Sequence, residues 1–266
     1  WVRPARLTQA GRLAALHEYE AALGRPLDIV NTYRRFDEVL LTESDRAVLR
    51  KHATLMLSWA SGDTRSITLG HHDDLIRRRA RELRSAGAPV LLRFRWEMDR
   101  PNLEAAMWSA PDYVAAWRHV RRLFAAEGVR NAAWVWCPTA EGFAAGRAPA
   151  YYPGDDAVDW VCVDAYAGAA LRPLGDLLAP FLTWAAARPK PILIGEYGVA
   201  VDWGSAVRAA WLHDAARVFR ANPQIKAVSY FESNPDGERR GFRLADDPPA
   251  FAALMEFAHD DYFNPR

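Results

Sequence analysis

The sequence predicts an α/β fold, an eight-stranded parallel (β/α)8 barrel spanning residues 1–266 as one domain. Strand-like and helix-like segments alternate from one end to the other, and 266 residues suit a single large domain. A doubly wound open sheet is the alternative, but no glycine-rich phosphate loop follows an early strand.

Taken in order, Trp1–Arg3 reads as the stub of a first strand. "LTQAGRLAALHEYEAALG" has helical periodicity, with Thr8 as its cap and Gly24 as its stop. "PLDIVNTYRRF" is a strand, "ESDRAVLRKHA" a helix, "TLMLSWA" a strand and "DDLIRRRARELRSAG" a basic helix ending at Gly87. "PVLLRFRW" is the next strand. "APDYVAAWRHVRRLFAAEG" is a helix with Pro111 in its first turn and Gly128 at its end. "AAWVWCP" and "VDWVCVDAY" are strands, joined by the longest irregular stretch, "TAEGFAAGRAPAYYPGDDA", whose length suggests a functional loop. "LGDLLAPFLTWAAAR" is helical despite Pro180, and "KPILIGEYGV" is a strand. A helix (SAVRAAWLHDAARVFRAN), a strand (IKAVSYFE) and a last helix (DPPAFAALMEFAHD) complete the chain.

Half the residues are hydrophobic, enough for a sizeable core. The formal net charge of +1 argues against nucleic acid or an anionic membrane as the partner, and no apolar run is long enough to span a bilayer. The chain starts at Trp1 rather than Met, as a mature or trimmed form would, so a secreted or extracytoplasmic location stays open and is the expectation. A monomer is expected. Cys137 and Cys162 read as buried free thiols in preference to a disulfide. Eleven Trp residues serve equally well as core or as flat platforms for sugars.

The chemistry sits at two strand ends. "VLLRFRWEMDRPN" begins as a buried strand and finishes in Arg93, Arg95, Trp96, Glu97 and Asp99. "PILIGEYG" finishes in Glu196 and Tyr197. Active sites of β/α barrels lie at the carboxyl ends of the strands. Alternation puts Leu91, Arg93, Arg95 and Glu97 on one face, and Ile192, Ile194 and Glu196 on one face. If Ile192 and Ile194 point into the barrel, Glu196 points into its mouth. Two carboxylates converging in an aromatic-lined mouth suit glycoside hydrolysis, one protonated and one ionised. Burial and Trp96 are expected to raise the pKa of Glu97, while Arg93 or Arg95 and a Tyr hydroxyl keep Glu196 charged.

These segments resemble glycoside hydrolase family 26. "RFRWEMD" is similar to the family's acid/base strand, Arg-Pro-x-His-Glu-Met-Asn, and "PILIGEYG" to its nucleophile strand. "LGHHDDLIRRRARELRSAGAPVLLR", "VAAWRHVRRLFAAEGVRNAAWVWCP" and "YYPGDDAVDWVCVDAY" resemble further family segments in the same order, from about residue 24 to "AVSYFES". The resemblance implies a retaining mechanism with Glu97 as acid/base and Glu196 as nucleophile, without a metal or other cofactor. It implies Tyr166 as the tyrosine bonding the nucleophile, Arg93 as support for the glutamates, and Trp136 and Trp108 as aromatics near the cleft. The family is mostly endo-β-1,4-mannanases, with some β-glucanases and β-1,3-xylanases. The expected substrate is therefore a β-1,4-mannan, with a β-1,3 or β-1,3-1,4 glucan as the alternative. Two departures bear on the sugar: Trp96 stands where the family has His, and Asp99-Arg100-Pro101 replaces Asn-Gly and a Trp.

Other readings remain beside this one. "HHDD", His71 to Asp74, is a helix start rather than a metal cluster, with Asp73 a candidate for the cleft rim. Phe231, at the end of the last strand, is a candidate for the mouth, as is Glu232. Tyr151 and Tyr152 read as loop scaffold first and sugar platforms second. A carbohydrate-binding barrel without turnover is the alternative from another class; a structural barrel has no use for paired glutamates at strand ends.

Overall fold

Strands form at the apolar runs of the sequence, and they pair in chain order. They are β1 (Ile29–Arg34), β2 (Thr54–Trp59), β3 (Val90–Phe94), β4 (Ala132–Trp136), β5 (Trp160–Ala167), β6 (Ile192–Val199) and β7 (Ile225–Tyr230), each parallel to the next. The computed structural model describes residues 1–234 and 241–264. Helices intervene: α1 (Gln9–Leu23), α2 (Glu43–Arg50), α3 (Thr64–Thr68), α4 (Asp73–Arg84), α5 (Glu104–Met107), α6 (Ala110–Ala126), α7 (Ala140–Ala144), α8 (Leu174–Ala185), α9 (Ser205–Ala221) and α10 (Pro248–His259). No helix among the described residues is long and apolar enough to cross a membrane.

The helix ends follow their capping chemistry. The Thr8 side chain accepts from the Gly11 N–H, and Gly24 closes α1 at φ 76°, where a side chain is disfavoured. Ser109 caps α6 ahead of Pro111, and α8 accommodates Pro180. The short helices α3, α5 and α7 lie in loops that carry no long periodicity.

The expected eighth strand is reduced to a single bridge. Val2 pairs with Glu232 just past β7, with Arg3 N–H donating to the Glu232 carbonyl and Glu232 N–H to that of Trp1. The barrel class is as expected, but the stub is too short to form a ladder. A cavity of about 760 Å³ lies at this seam, lined by Tyr19, Leu23, Ile29, Ile225, Tyr230 and Phe257 among others.

Two apolar layers separate the faces of the strands. Between sheet and helices pack Trp59, Phe94, Trp117, Phe124 and Trp134. Inside the barrel a smaller cluster holds Met56, Leu91, Val135, Cys137, Cys162 and Leu193. The two cysteines are buried as expected, but they are joined as a disulfide, not free thiols.

This division overturns one step of the sequence argument. Ile192 and Ile194 belong to the outer layer, and it is Leu193 that faces inward. By simple alternation Glu196 would face the helices. It does not, because the β5–β6 register slips: Val163 pairs with Ile194, and the next residue, Asp164, pairs with Glu196. Gly195 is the extra residue of this bulge, and the slip turns Glu196 into the barrel. A Cβ on Gly195 would stand 2.6 Å from Cys162 Sγ, 2.7 Å from Asp164 Oδ1 and 2.8 Å from Cys137 Sγ. Gly195→Ala is therefore expected to destabilise the fold by about 1–3 kcal/mol, read as a lowered Tm in thermal melting. An unchanged Tm would mean the barrel floor is looser than described.

Candidate active site

Glu196 stands at the centre of the barrel mouth with three donors on its carboxylate. Arg93 Nη2 donates to Oε1, the Tyr33 hydroxyl donates to the same oxygen at 2.7 Å, and the Tyr166 hydroxyl donates to Oε2 at 2.5 Å. Arg93 lies fully buried beneath it. Its Nη1 donates to both Asp164 oxygens at 2.9 Å, and its Nε to Ser58 Oγ at 2.8 Å. Ser58 in turn donates to Asn31 Oδ1 at 2.7 Å. Strands β1, β2, β3, β5 and β6 thus each contribute to one polar network.

Burial alone would push the Glu196 carboxyl up. The Arg93 charge and the hydrogen bonds from Tyr166, Arg93 and Tyr33 outweigh it and hold the group below its ordinary value, so it is ionised at neutral pH. Burial, with the nearby Glu196 charge, pushes Asp164 up despite Arg93.

Glu97 is placed differently. β3 ends at Phe94, and the backbone then turns through two left-handed non-glycine residues, Arg95 at φ 42° and Glu97 at φ 54°. Strand alternation therefore does not carry Glu97 to the mouth; the turn does. The Arg95 N–H is held by the Trp59 carbonyl and the Glu97 N–H by that of Cys137, both at 2.7 Å. Asp99 pins the exit of the turn, accepting from the Thr139 N–H at 3.0 Å and the Thr139 hydroxyl at 2.7 Å. Such conformations cost of order 1–3 kcal/mol each and persist only where surrounding bonds fix them, as these do.

The Glu97 carboxyl is buried and accepts one charged hydrogen bond, from Arg100 Nη2 at 2.6 Å. Burial and the negative charge of Glu196 push its pKa up to about 7 against the pull of Arg100 and Arg93. The two glutamates are thus tuned in opposite directions, one to hold a proton and one to lose it.

The aromatic residues divide between mouth and core. Trp96 packs on Tyr33 with ring centroids 5.1 Å apart and lies beside the Arg93 guanidinium. Phe231 stands edge-on to Tyr166 at 5.8 Å. Trp108 is exposed, with its indole N–H on Asp63 and Arg65 over its ring. Trp136 does not line the cleft: it is fully buried on the outer face among Phe143, Tyr152 and Trp184. Asp73 does not join the glutamates either; its carboxylate pairs with His119 Nε2 at 2.7 Å. Glu232 anchors a loop by accepting from the Leu244 and Ala245 N–H groups rather than facing the mouth. Tyr151 and Tyr152 pack against the outer layer.

Tyr33, Asp164, Ser58 and Arg100 join the site in addition to the residues expected from the sequence. Polar residues on inward positions of strands, at Asn31, Tyr33, Ser58 and Asp164, are the signal that marks three of them. Cys137, Cys162 and Asp164 lie within ligand reach of one another, but the sulfurs are bonded together and Asp164 serves Arg93.

Comparison with known proteins agrees with the motifs. The model of Glycosyl hydrolase family 26 matches residues 53–179, so the resemblance read from the sequence is borne out. Endoglucanase H of Acetivibrio thermocellus is 25% identical over 265 residues, covering 91% of this chain and 29% of its own. Beta-1,3-xylanase TXYA of a Vibrio species is 29% identical over 145 residues, covering 51% of this chain and 29% of its own. The chain therefore spans less than a third of the length of these relatives. The solved family 26 β-mannanase of Bacteroides ovatus shares the fold with a TM-score of 0.66 at 16% identity, over 88% of this chain and 79% of that one.

Carboxyl-resolved NMR titration is expected to find Glu97 titrating near pH 7 and Glu196 below its ordinary carboxylate value. Arg100→Ala removes a cation that favours the charged form, so the Glu97 midpoint moves up. A midpoint that stays put or falls would contradict the assigned contact.

Proposed function

We propose that this family 26 glycoside hydrolase barrel cleaves a β-linked polysaccharide by double displacement with retention. The observation that carries the reading is the opposite tuning of two buried glutamates in one aromatic-lined mouth. In the first step Glu196 attacks the anomeric carbon and forms a glycosyl ester, while Glu97 gives its proton to the departing glycosidic oxygen. In the second, Glu97, now a carboxylate, takes a proton from water as the water attacks the anomeric carbon and releases Glu196. Arg93 and Tyr33 keep Glu196 charged and fixed, and Tyr166 orients its second oxygen. No step in this scheme calls for a metal or organic cofactor.

Trp96, Phe231 and Trp108 offer faces for sugar rings. β-1,4-Mannan is the first substrate expectation, on the family motifs. A β-glucan is the second reading, and two observations favour it: Trp96 replaces the family His, and the relative matched over most of this chain is named an endoglucanase. A binding barrel without turnover is disfavoured because the acid, the nucleophile and the bonds that tune them are all retained. The disulfide is the chemistry of an oxidising compartment and supports an extracytoplasmic setting. A monomeric, single-domain unit over residues 1–266 is part of the same proposal.

Reducing-sugar release on mannan, glucomannan, mixed-linkage β-glucan, β-1,3-xylan and cellulose is expected to single out one polymer. Glu196→Ala should lower the rate on it by about 10⁴-fold or more. Equal activity in both proteins would refute the nucleophile. On the cleaved polymer, activity should fall as pH rises through about 7, because the acid must be protonated to work. Tyr33→Phe should cost roughly tenfold to a hundredfold and move the acid limb upward, since a donor favouring ionised Glu196 is lost. An unmoved acid limb would place the tyrosine outside the mechanism.

A further inference from the structure

Of the arginines around Glu97, one has no role in the chemistry above. Arg93 is fully engaged with Asp164, Glu196 and Ser58. Arg95 makes a single side-chain hydrogen bond among the described residues, from Nε to the Trp96 carbonyl at 3.0 Å, and no carboxylate pairs with it. The residue is half-buried, and its guanidinium lies 4.7 Å from the centre of the Trp96 ring. Its two terminal nitrogens have no acceptor among the described residues. Burial opposes its charge, and Arg93 and Arg100 add to that while Glu97 and Tyr113 offset part of it. Arg100 is half-exposed and holds Glu97 through one nitrogen alone.

The charge count makes this arrangement unusual. When Glu97 is protonated, as the acid must be, Arg93 keeps Asp164 and Glu196 as ion-pair partners, while Arg95 and Arg100 have no charged carboxylate paired with them among the described residues. The transition state of glycoside cleavage adds positive charge at the same place. A mouth with surplus cation disfavours that charge unless the substrate brings an anion.

We propose that Arg95 and Arg100 form an anion-recognising subsite beside Glu97, and that the glycan cleaved carries an acidic sugar, a uronate or a sulfated unit, next to the scissile bond. The inference rests on the hydrolase reading and names its substrate class. The free pair of Arg95 nitrogens matches the two-point acceptor of a carboxylate or sulfate, and the Trp96 ring keeps the guanidinium plane in place. An anion that draws Arg100 away also removes the one cation hydrogen-bonded to Glu97 among the described residues. The acid then keeps its proton, so binding of the acidic sugar readies the leaving-group step.

The test uses polymers in matched pairs: a uronate-bearing β-glycan with its carboxyl-reduced form, and a sulfated β-glycan with its desulfated form. Binding to the Glu196→Ala protein is measured by calorimetry, and reducing-end release by the wild type on the same pairs. The anionic member of one pair is expected to bind about tenfold tighter or more, the worth of one charge-assisted hydrogen bond, and the preference should shrink as salt rises. The pair that shows it identifies the anion. Arg95→Met and Arg100→Gln, each added to Glu196→Ala, should each bring the ratio toward one. Arg95→Lys, which keeps the charge but not the two-point geometry, should give an intermediate ratio; circular dichroism checks that each variant is folded. Equal binding within both pairs, no binding to any polymer, or a ratio untouched by folded arginine variants would overturn the subsite. Anion-dependent binding without release by the wild type contradicts the hydrolase reading alone, and release without anion preference contradicts the subsite alone.

Discussion

The buried Arg93 guanidinium is the constraint on which the site depends. It occupies the floor of the barrel mouth, where a charge survives only if partners surround it, and it is shared between Asp164 and Glu196 with Ser58 on its third nitrogen. Removing one partner of such a group leaves an uncompensated buried charge, at about 3–5 kcal/mol. That penalty explains why five strands each place a polar side chain inward at one level of an otherwise apolar barrel. It also fixes where Glu196 sits. Glu196 is brought inward by the slip at Gly195, and Arg93 meets it there.

Glu97 has the opposite surroundings. It sits beyond the end of its strand, on a turn held by the Trp59 and Cys137 carbonyls and by Asp99, with Arg100 as its only hydrogen-bonded cation among the described residues. Burial dominates its protonation, whereas direct bonds dominate that of Glu196. The same residue type is thereby given two roles within one cavity by the number of donors each is offered.

The sequence carried the alternation of strands and helices, the helix caps at Thr8 and Gly24, and the two glutamates. It did not carry the faces. β6 is buried on both sides, so its apolar residues do not reveal which side is inward. Ile192 and Ile194 face the helices, so alternation from them alone would turn Glu196 outward, and it is the bulge at Gly195 that brings Glu196 into the mouth. The same ambiguity put Trp136 in the cleft when it belongs to the outer layer. The Cys137–Cys162 pair required knowing that the end of β4 meets β5. Tyr33 and Asp164 were within reach of the same alternation that singled out Arg93. Arg100 is legible only as a departure from the family pattern, since nothing local indicates that its side chain folds back three residues onto Glu97.

The central claim is that Glu196 forms a covalent bond to the sugar. It is tested most directly by incubating the protein with 2-deoxy-2-fluoro β-glycosyl fluorides of the gluco, manno and xylo series, with the anionic substituents included, followed by intact-mass and peptide mass spectrometry. The account predicts one added glycosyl group, mapped to Glu196 and absent from Glu196→Gln. A label on another carboxylate, or the same label in Glu196→Gln, would contradict it.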